Sequence, residues 1–392
     1  MRQERVGLRS FEAASIARRE RGLGRMSADA EERAVAYVSH RAERLSSAAH
    51  STIARLLAQH GGARGLVRRI VETVAEHARV TLNFHPDRPR RDGRTVAEGL
   101  LHDGFYRSQY DTGVTNGSPT AFPGGERNRW EKQLFGDAYD GAVVCGTAPE
   151  RPKYGAFNVM AHTDGGSPRF GSCYFELSPS MLARCTFTWG DSHERPEHVG
   201  TIAHFEPVLA ALFEQVSKTG SALGVTGLQL SALIQRLTSL ERLQGTFASR
   251  SPGRALDAYI EAQVHGAIHL AGDVEALIID PAFDDTETGQ HLAAIAARYG
   301  IVLRRHAGFI LHAAEIPSDF RGPRMRPLAE RISETGELDA ATLGRAAQSL
   351  MREPARWQDW GTEAETWQHL KQLWHVLVRF GRGRAEPAFR HL

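Results

Sequence analysis

The stretch from Asp257 to Asp280 constrains the fold more than any other part of the chain. From Ala258 to His265 it alternates strictly: Ala258, Ile260, Ala262 and Val264 on one side, Tyr259, Glu261, Gln263 and His265 on the other. Side chains on a strand point alternately to its two faces, so this pattern predicts a strand with one apolar face against a core. Gly266 interrupts the row, and Ile268 to Leu270 resumes it. The polar row has two readings. It is the wet face of a surface strand, or it lines a site. A solvated strand favours Thr, Lys or Arg. This row instead sets one titratable carboxylate, Glu261, among neutral hydrogen-bonding groups, which favours the second reading.

The rest of the composition is ordinary. The chain has 392 residues, enough for two to three domains, and is 41% hydrophobic and 24% charged, as globular proteins are. A net charge of +2 gives no strong global pull toward nucleic acid or a membrane. Its lysines are Lys132, Lys153, Lys218 and Lys371 alone, and the other basic residues are arginines. That bias is read as genome base composition rather than selection for phosphate binding. Cys145, Cys173 and Cys185 are too few and too irregular for a disulfide framework or a zinc site, and a reducing compartment is the simplest setting. No apolar run reaches the length of a membrane span, and no hydrophobic signal core follows Met1, so a soluble protein with no membrane partner is expected.

Along the chain, residues 1–25 carry seven arginines and little periodicity, and are expected to form a basic, disordered arm. Residues 26–79 predict a helical hairpin. Ser27 and Asp29 serve as N-caps, Val35, Val38, Ala42 and Leu45 recur at helical spacing, Gly61 and Gly62 end the first helix, and Leu66 to Ala78 forms the second. Residues 80–325 predict an α+β core. It opens with a strand, Val80–Phe84, running into His85-Pro86-Asp87-Arg88. A helix follows with Thr95 as N-cap and Glu98 completing a capping box, stopped by Gly104. Residues 106–125 read as a long irregular loop, ordered by the aromatic residues around it, and Trp130 to Tyr139 as a short helix. Lys153–Met160 and Phe170–Leu177 predict strands joined as a hairpin through Thr163–Pro168, and Cys185–Trp189 a further strand. Residues 326–392 read as a helical tail. Its Trp357, Trp360, Trp367 and Trp374 are expected to pack rather than bind ligand.

This order of elements resembles the ADP-ribosyltransferase fold in three places. Asn83-Phe84-His85 with the helix after it is similar to the opening strand and helix of those enzymes, where a His or Arg holds the ribose and nicotinamide of NAD. Phe170-Gly-Ser-Cys-Tyr174-Phe is similar to the strand whose Tyr or Ser lines the nicotinamide pocket. Glu261-Ala-Gln-Val-His-Gly-Ala-Ile-His-Leu resembles the catalytic strand of DNA-targeting ADP-ribosyltransferase toxins. The whole chain also resembles an uncharacterised bacterial family with Phe-His-Pro-Asp-Arg, Phe-Gly-Ser-Cys-Tyr and Gly-Asp-Ser blocks. The first resemblance implies a split β-sheet core and an NAD-dependent mono-ADP-ribosyltransferase acting on a macromolecular acceptor, nucleic acid or protein. It implies a bacterial cytoplasmic protein, or a toxin delivered into a target cell as an effector. Glu261 is then the catalytic residue. His85, Arg88, Thr112, Ser118, Arg151 and Tyr174 hold NAD, which is the substrate, and Tyr259 and Gln263 bind the acceptor. Many protein-modifying relatives carry Gln or Glu two residues before the catalytic Glu, where this chain has Tyr259. The Ser/Thr element has several candidates: Thr112, Thr115 and Ser118, or Thr186 and Thr188.

The implied chemistry is physically consistent. Cleaving the nicotinamide glycosidic bond builds positive charge on the ribose, as in glycoside hydrolysis. One fixed carboxylate near that ribose stabilises the cation electrostatically. The basic run Arg88, Arg90, Arg91, Arg94 reads first as a solvated loop and second as a phosphate contact. A second reading of the chain is a non-catalytic interaction or immunity protein of the same fold. A third is a metal-dependent hydrolase using Asp191, His193 and His198. Neither the His193/His198 pair nor His265 with His269 has a third ligand at reliable spacing, so no metal site is expected. Ser192 lacks the glycine-flanked elbow of a hydrolase nucleophile and reads as a turn closing the Thr186 strand.

Overall fold

In the computed structural model, residues 2–58, 65–113, 121–122, 124–139, 151–243 and 246–384 are described, with side chains from Ala30 onward apart from that of residue 248. Helix α1 (Arg2–Leu57) is one continuous element. The segment expected to be a disordered arm is therefore helical backbone, and Ser27 and Asp29 are interior positions, not caps. Helix α2 (Leu66–His77) follows and buries Ile70 and Val74. The two helices do not form a hairpin of their own. α1 lies chiefly along a later helix, α6, and α2 against the segment that follows α6.

Strand β1 (Val80–Phe84) is buried throughout. Helix α3 (Val96–Asp103) carries the expected Thr95/Glu98 capping box and ends at Gly104 in the left-handed conformation. The loop expected at 106–125 holds a one-turn helix, α4 (Gln109–Thr112), then α5 (Glu126–Phe135), which starts earlier than the aromatic residues alone suggest. Next come β2 (Lys153–Phe157), β3 (Cys173–Leu177), β4 (Cys185–Trp189) and β5 (Val199–Thr201). Helix α6 (Glu206–Thr219), the small ribbon β6 (Ser221–Ala222) and β7 (Val225–Thr226), and α7 (Leu230–Leu237) lead to β8 (Ile260–Val264). A turn, α8 (Leu270–Asp273), then β9 (Val274–Ile279), α9 (Glu287–Tyr299) and β10 (Val302–Arg305) complete the sheet. A second ribbon, β11 (Leu311–His312) with β12 (Glu337–Leu338), brackets α10 (Met325–Ile332), and α11 (Ala340–Arg352) and α12 (Glu363–Phe380) follow. No helix among the described residues is long and apolar enough to cross a membrane.

The chain is thus α+β, and its main sheet holds eight strands among the described residues, in the order β10-β9-β3-β1-β2-β8-β4-β5. All pairs are antiparallel except β9 with β10. Two expectations change here. β2 and β3 are not a hairpin, because β1 inserts between them and pairs with both. The sheet is also continuous rather than split, although the β1–β2 ladder is short. It holds only Val80 with Phe157 and Thr81 with Ala156, and beyond Thr81 the two strands part. Gly155 sits at that crotch, where a Cβ would lie 2.3 Å from the Thr81 carbonyl oxygen. Only glycine fits there.

The period of two decides which side chains meet. Thr81, Ala156, Glu261 and Thr188 are cross-strand neighbours in one row, and Tyr154, Gln263 and Thr186 form the next. Asn83, and His85 one residue past the end of β1, continue the same face. The opposite face buries Ile260, Ala262 and Val264, and there Phe157 stacks on Phe187 while Phe205 meets both rings edge-on. That face supports α6, against which α1 packs. The C-terminal helices belong to the same core and close on the first face at the end of β1. Trp374 donates through Nε1 to the Pro168 carbonyl at 2.8 Å and meets His85 edge-on at 4.8 Å.

Candidate active site

Where β1 and β2 part, a cavity of about 390 Å³ opens, a usual size for a small-molecule site. Its floor is Asn83, His85, Tyr154 and Glu261. Arg127 and Trp130 of α5, the Asp191–His193 turn, Arg169, and Lys371 of α12 form its walls. The cavity joins Glu261 to His85 and Arg88, three residues from two distant parts of the chain.

Glu261 is buried, 4% exposed. Gln263 donates to its Oε1 through Nε2 at 2.9 Å. Burial, then the charge of Asp191, push its carboxyl up to about 7, and Ser192 and Gln263 only partly offset this. Ser192 brings its backbone N–H and hydroxyl toward the carboxylate, but the hydroxyl makes no well-formed hydrogen bond. Burial, then the charges of Arg88 and His375, hold the His85 imidazole well below its ordinary value, so it is neutral at physiological pH. Arg88 is itself buried, its guanidinium 5.6 Å from the Trp367 ring centre, and Nε and Nη1 have no hydrogen-bond partner among the described residues. The expectation that the tryptophan stripe packs holds for buried Trp357 and Trp374. Trp367 packs too, but on a residue of the cavity.

The other expected site residues divide. Thr112 lines the cavity at the end of α4, its hydroxyl donating to the Ser108 carbonyl at 3.0 Å. Ser118 and Thr115 lie outside the described residues. Tyr174 shares the sheet face of Asn83 but does not line the cavity. It is fully buried, and its hydroxyl donates to the Thr163 carbonyl at 2.8 Å. Arg151 is engaged elsewhere, bonding Glu131 at 2.9 Å and Asn128 at 2.7 Å. Tyr259 and Gln263, expected to meet the acceptor, are buried and internally satisfied. The Tyr259 hydroxyl donates to Asp191 Oδ2 at 2.9 Å. Gln263 receives the Thr186 hydroxyl at 2.7 Å and donates to Thr188 at 3.2 Å and to Glu261. Even His265 is held, between Tyr139 at 2.5 Å and Thr186 at 3.0 Å. The polar row is therefore a buried hydrogen-bond network, and of its members only Glu261 reaches the cavity.

Three wall residues escaped the sequence reading. Arg127 lies between aromatic rings, 5.3 Å from Trp130 and 4.7 Å from Tyr154, with Nε unpartnered among the described residues. Asp191 was seen only as a turn or a metal ligand. Lys371 comes from the far end of the chain, where burial and the charges of Arg169 and Arg321 lower its ammonium pKa. One signal was available: in an arginine-rich chain, two of the four lysines, Lys153 and Lys371, line this cavity. The wall is rich in cations, with Arg88, Arg127, Arg169 and Lys371 facing only Glu126, Asp191 and Glu261 as carboxylates. Such a site suits an anionic ligand that carries a cationic or cation-forming end. His198 is not drawn into a metal-ligand group with Asp191 and His193. Among the described residues the one set of three ligands close enough for a metal ion is Glu98, Glu287 and His291, on α3 and α9.

A family model described as "Protein of unknown function (DUF3626)" matches residues 79–380. The chain belongs to this family. The DUF3626 match begins one residue before β1 and ends with the last residue of α12, so it takes in every cavity-lining residue named above. α1 and α2 precede it. No curated protein matches the chain.

Proposed function

We propose that this protein is an NAD-dependent mono-ADP-ribosyltransferase, with Glu261 stabilising the cationic ribose and a macromolecule, nucleic acid or protein, as acceptor. The observation that carries the reading is that Glu261 shares one cavity with His85 and Arg88 at the fork between β1 and β2. The unpartnered guanidinium nitrogens of Arg88 suit the pyrophosphate of a dinucleotide. Neutral His85 suits hydrogen bonding to a ribose hydroxyl. Glu261 is buried in the cavity floor, where a carboxylate acts strongly on developing positive charge. In the step, the C1′–N bond of the nicotinamide ribose breaks, and its electron pair leaves with nicotinamide. The resulting cation at C1′ is stabilised by ionised Glu261 until the acceptor attacks.

The test is incubation of the full chain with NAD labelled in its adenylate, scoring nicotinamide release and label on protein, DNA and RNA. Nicotinamide release that Glu261→Gln abolishes is the expected result. Absence of both nicotinamide release and labelled product refutes the reading and leaves a non-catalytic member of the fold.

A further inference from the structure

The rim of the cavity carries a second group that the reading above does not use. β4 ends at Trp189, and Gly190, at φ +85°, turns the chain back. Its N–H donates to the Tyr259 carbonyl at 3.2 Å, which sets Asp191 over the start of β8. Asp191 is then gripped from two sides. Oδ2 accepts the Tyr259 hydroxyl at 2.9 Å, and Oδ1 accepts the His193 backbone N–H at 3.1 Å. The same Oδ1 lies 2.8 Å from Nδ1 of the His193 ring. Burial raises the Asp191 carboxyl, but the His193 ring and N–H and the Tyr259 hydroxyl outweigh it and keep the carboxyl below its ordinary range. The His193 ring itself is 61% exposed, and its Nε2 bonds no described residue. Asp191, Ser192 and His193 line the cavity with Glu261.

We propose that His193 is the general base that activates the incoming acceptor, with Asp191 and Tyr259 as positioning residues; this rests on the cavity being the NAD site. A carboxylate 2.8 Å from Nδ1 favours the tautomer that leaves Nε2 as the acceptor of a proton. The acceptor X–H attacks C1′ of the ribose, its proton passes to His193 Nε2, and nicotinamide leaves with the glycosidic electron pair. With water as X–H, the products are ADP-ribose, nicotinamide and one proton. The arrangement also gives the Tyr259 position a use. Its hydroxyl reaches the carboxylate that orients the base. It follows that the acceptor carries a weakly acidic proton to be removed, as a hydroxyl or a ring amide N–H does.

The full chain is assayed for nicotinamide release from NAD with water as acceptor. His193→Ala is expected to lower kcat by roughly 100-fold or more while KM stays within about twofold, the usual size of a lost general base. Added imidazole is expected to restore part of the loss in His193→Ala and none in Glu261→Gln. Tyr259→Phe is expected to lower kcat on its own and to add nothing to His193→Ala, since it acts through Asp191 and that ring. Nicotinamide release that His193→Ala leaves unchanged, or lowers without rescue by imidazole, overturns the base assignment alone. No release by the wild type, either with water alone or with protein, DNA and RNA present, overturns it together with the NAD reading.

Discussion

Gln263 Nε2 donates to Glu261 Oε1 at 2.9 Å, and both side chains project from the same face of β8 two residues apart. The amide cannot turn away, because its oxygen accepts the Thr186 hydroxyl and its nitrogen also reaches Thr188. It is therefore a fixed donor to the one carboxylate in the cavity floor. In Gln263→Leu that donor is lost while the carboxylate stays buried. A hydrogen bond to the charged form lowers a carboxyl pKa, so its removal raises a value that already stands at about 7. In the proposed step the ionised form is the active one. The acid limb of nicotinamide release is expected to move to higher pH, with a stability loss of about 1–3 kcal/mol for the orphaned oxygen. A pH–rate profile together with urea unfolding checks both, and an unmoved acid limb counts against the role given to Gln263.

Glu261 also makes a stability prediction whose sign follows from linkage. Its folded pKa, about 7, lies above that of a free glutamate, so the folded state holds the proton more tightly than the unfolded chain does. The protonated carboxyl is tolerated fully below the unfolded value. That advantage is lost as pH rises through about 7, where the folded state must ionise a buried acid. Glu261→Gln is never ionised. It is expected to match the wild type near pH 4–5 and to exceed it at pH 8, by on the order of 2–3 kcal/mol, while losing nicotinamide release. Unfolding curves at the two pH values check this. A variant that is less stable at pH 8 contradicts the burial argument.

What the sequence revealed follows the range of the interactions. The Thr95/Glu98 cap and its Gly104 stop are contacts within one helix, and they were read correctly. The alternation around Glu261 gave β8 and its polar row, but the surroundings of that row depend on Thr186 and Asp191, far upstream. The same pattern fits a wet face or a buried network, and local periodicity does not separate them. β9 was missed because it is buried on both sides at Ala276–Ile279 and shows no alternation. The β2–β3 hairpin failed for a related reason, since turn residues carry no sign of a third strand inserted between two others. Lys371 reaches the cavity only through the docking of α12, which no spacing near it encodes.

Arg88 is the best placed of the cations to hold a ligand phosphate. It is buried, stacked over Trp367, and short of partners at two nitrogens. A buried charge without full pairing is costly in the free protein, and a ligand anion relieves that cost. Arg88→Met keeps the apolar contact with Trp367 and removes the charge. ADP-ribose affinity is expected to fall by about 10-fold or more, the scale of a lost charge-assisted hydrogen bond, while the thermal midpoint changes by only a few degrees. Calorimetric titration with ADP-ribose checks the first and thermal unfolding the second. Unchanged affinity removes Arg88 from the site.

Arg151 separates a structural cation from a ligand-binding one. Its side chain is 12% exposed against 1% for Glu131, to which it is bonded at 2.9 Å. Tyr154 and Tyr110 also donate to that carboxylate, at 2.9 Å and 3.3 Å, yet burial still raises the Glu131 pKa. The Arg151 guanidinium is packed further by the rings of Tyr110 and Tyr139. Breaking a buried pair from one side strands the remaining charge, so Arg151→Met is expected to cost about 3–5 kcal/mol. Replacing both partners removes the stranded charge, so Arg151→Met with Glu131→Leu is expected to recover much of that loss. ADP-ribose affinity, measured on folded protein, is expected to stay within about twofold of wild type in the double variant, since Arg151 does not line the cavity. If the double variant is as unstable as Arg151→Met, the pair is not what holds α5 against β2. If its affinity falls as far as that of Arg88→Met, Arg151 belongs with the phosphate ligands after all.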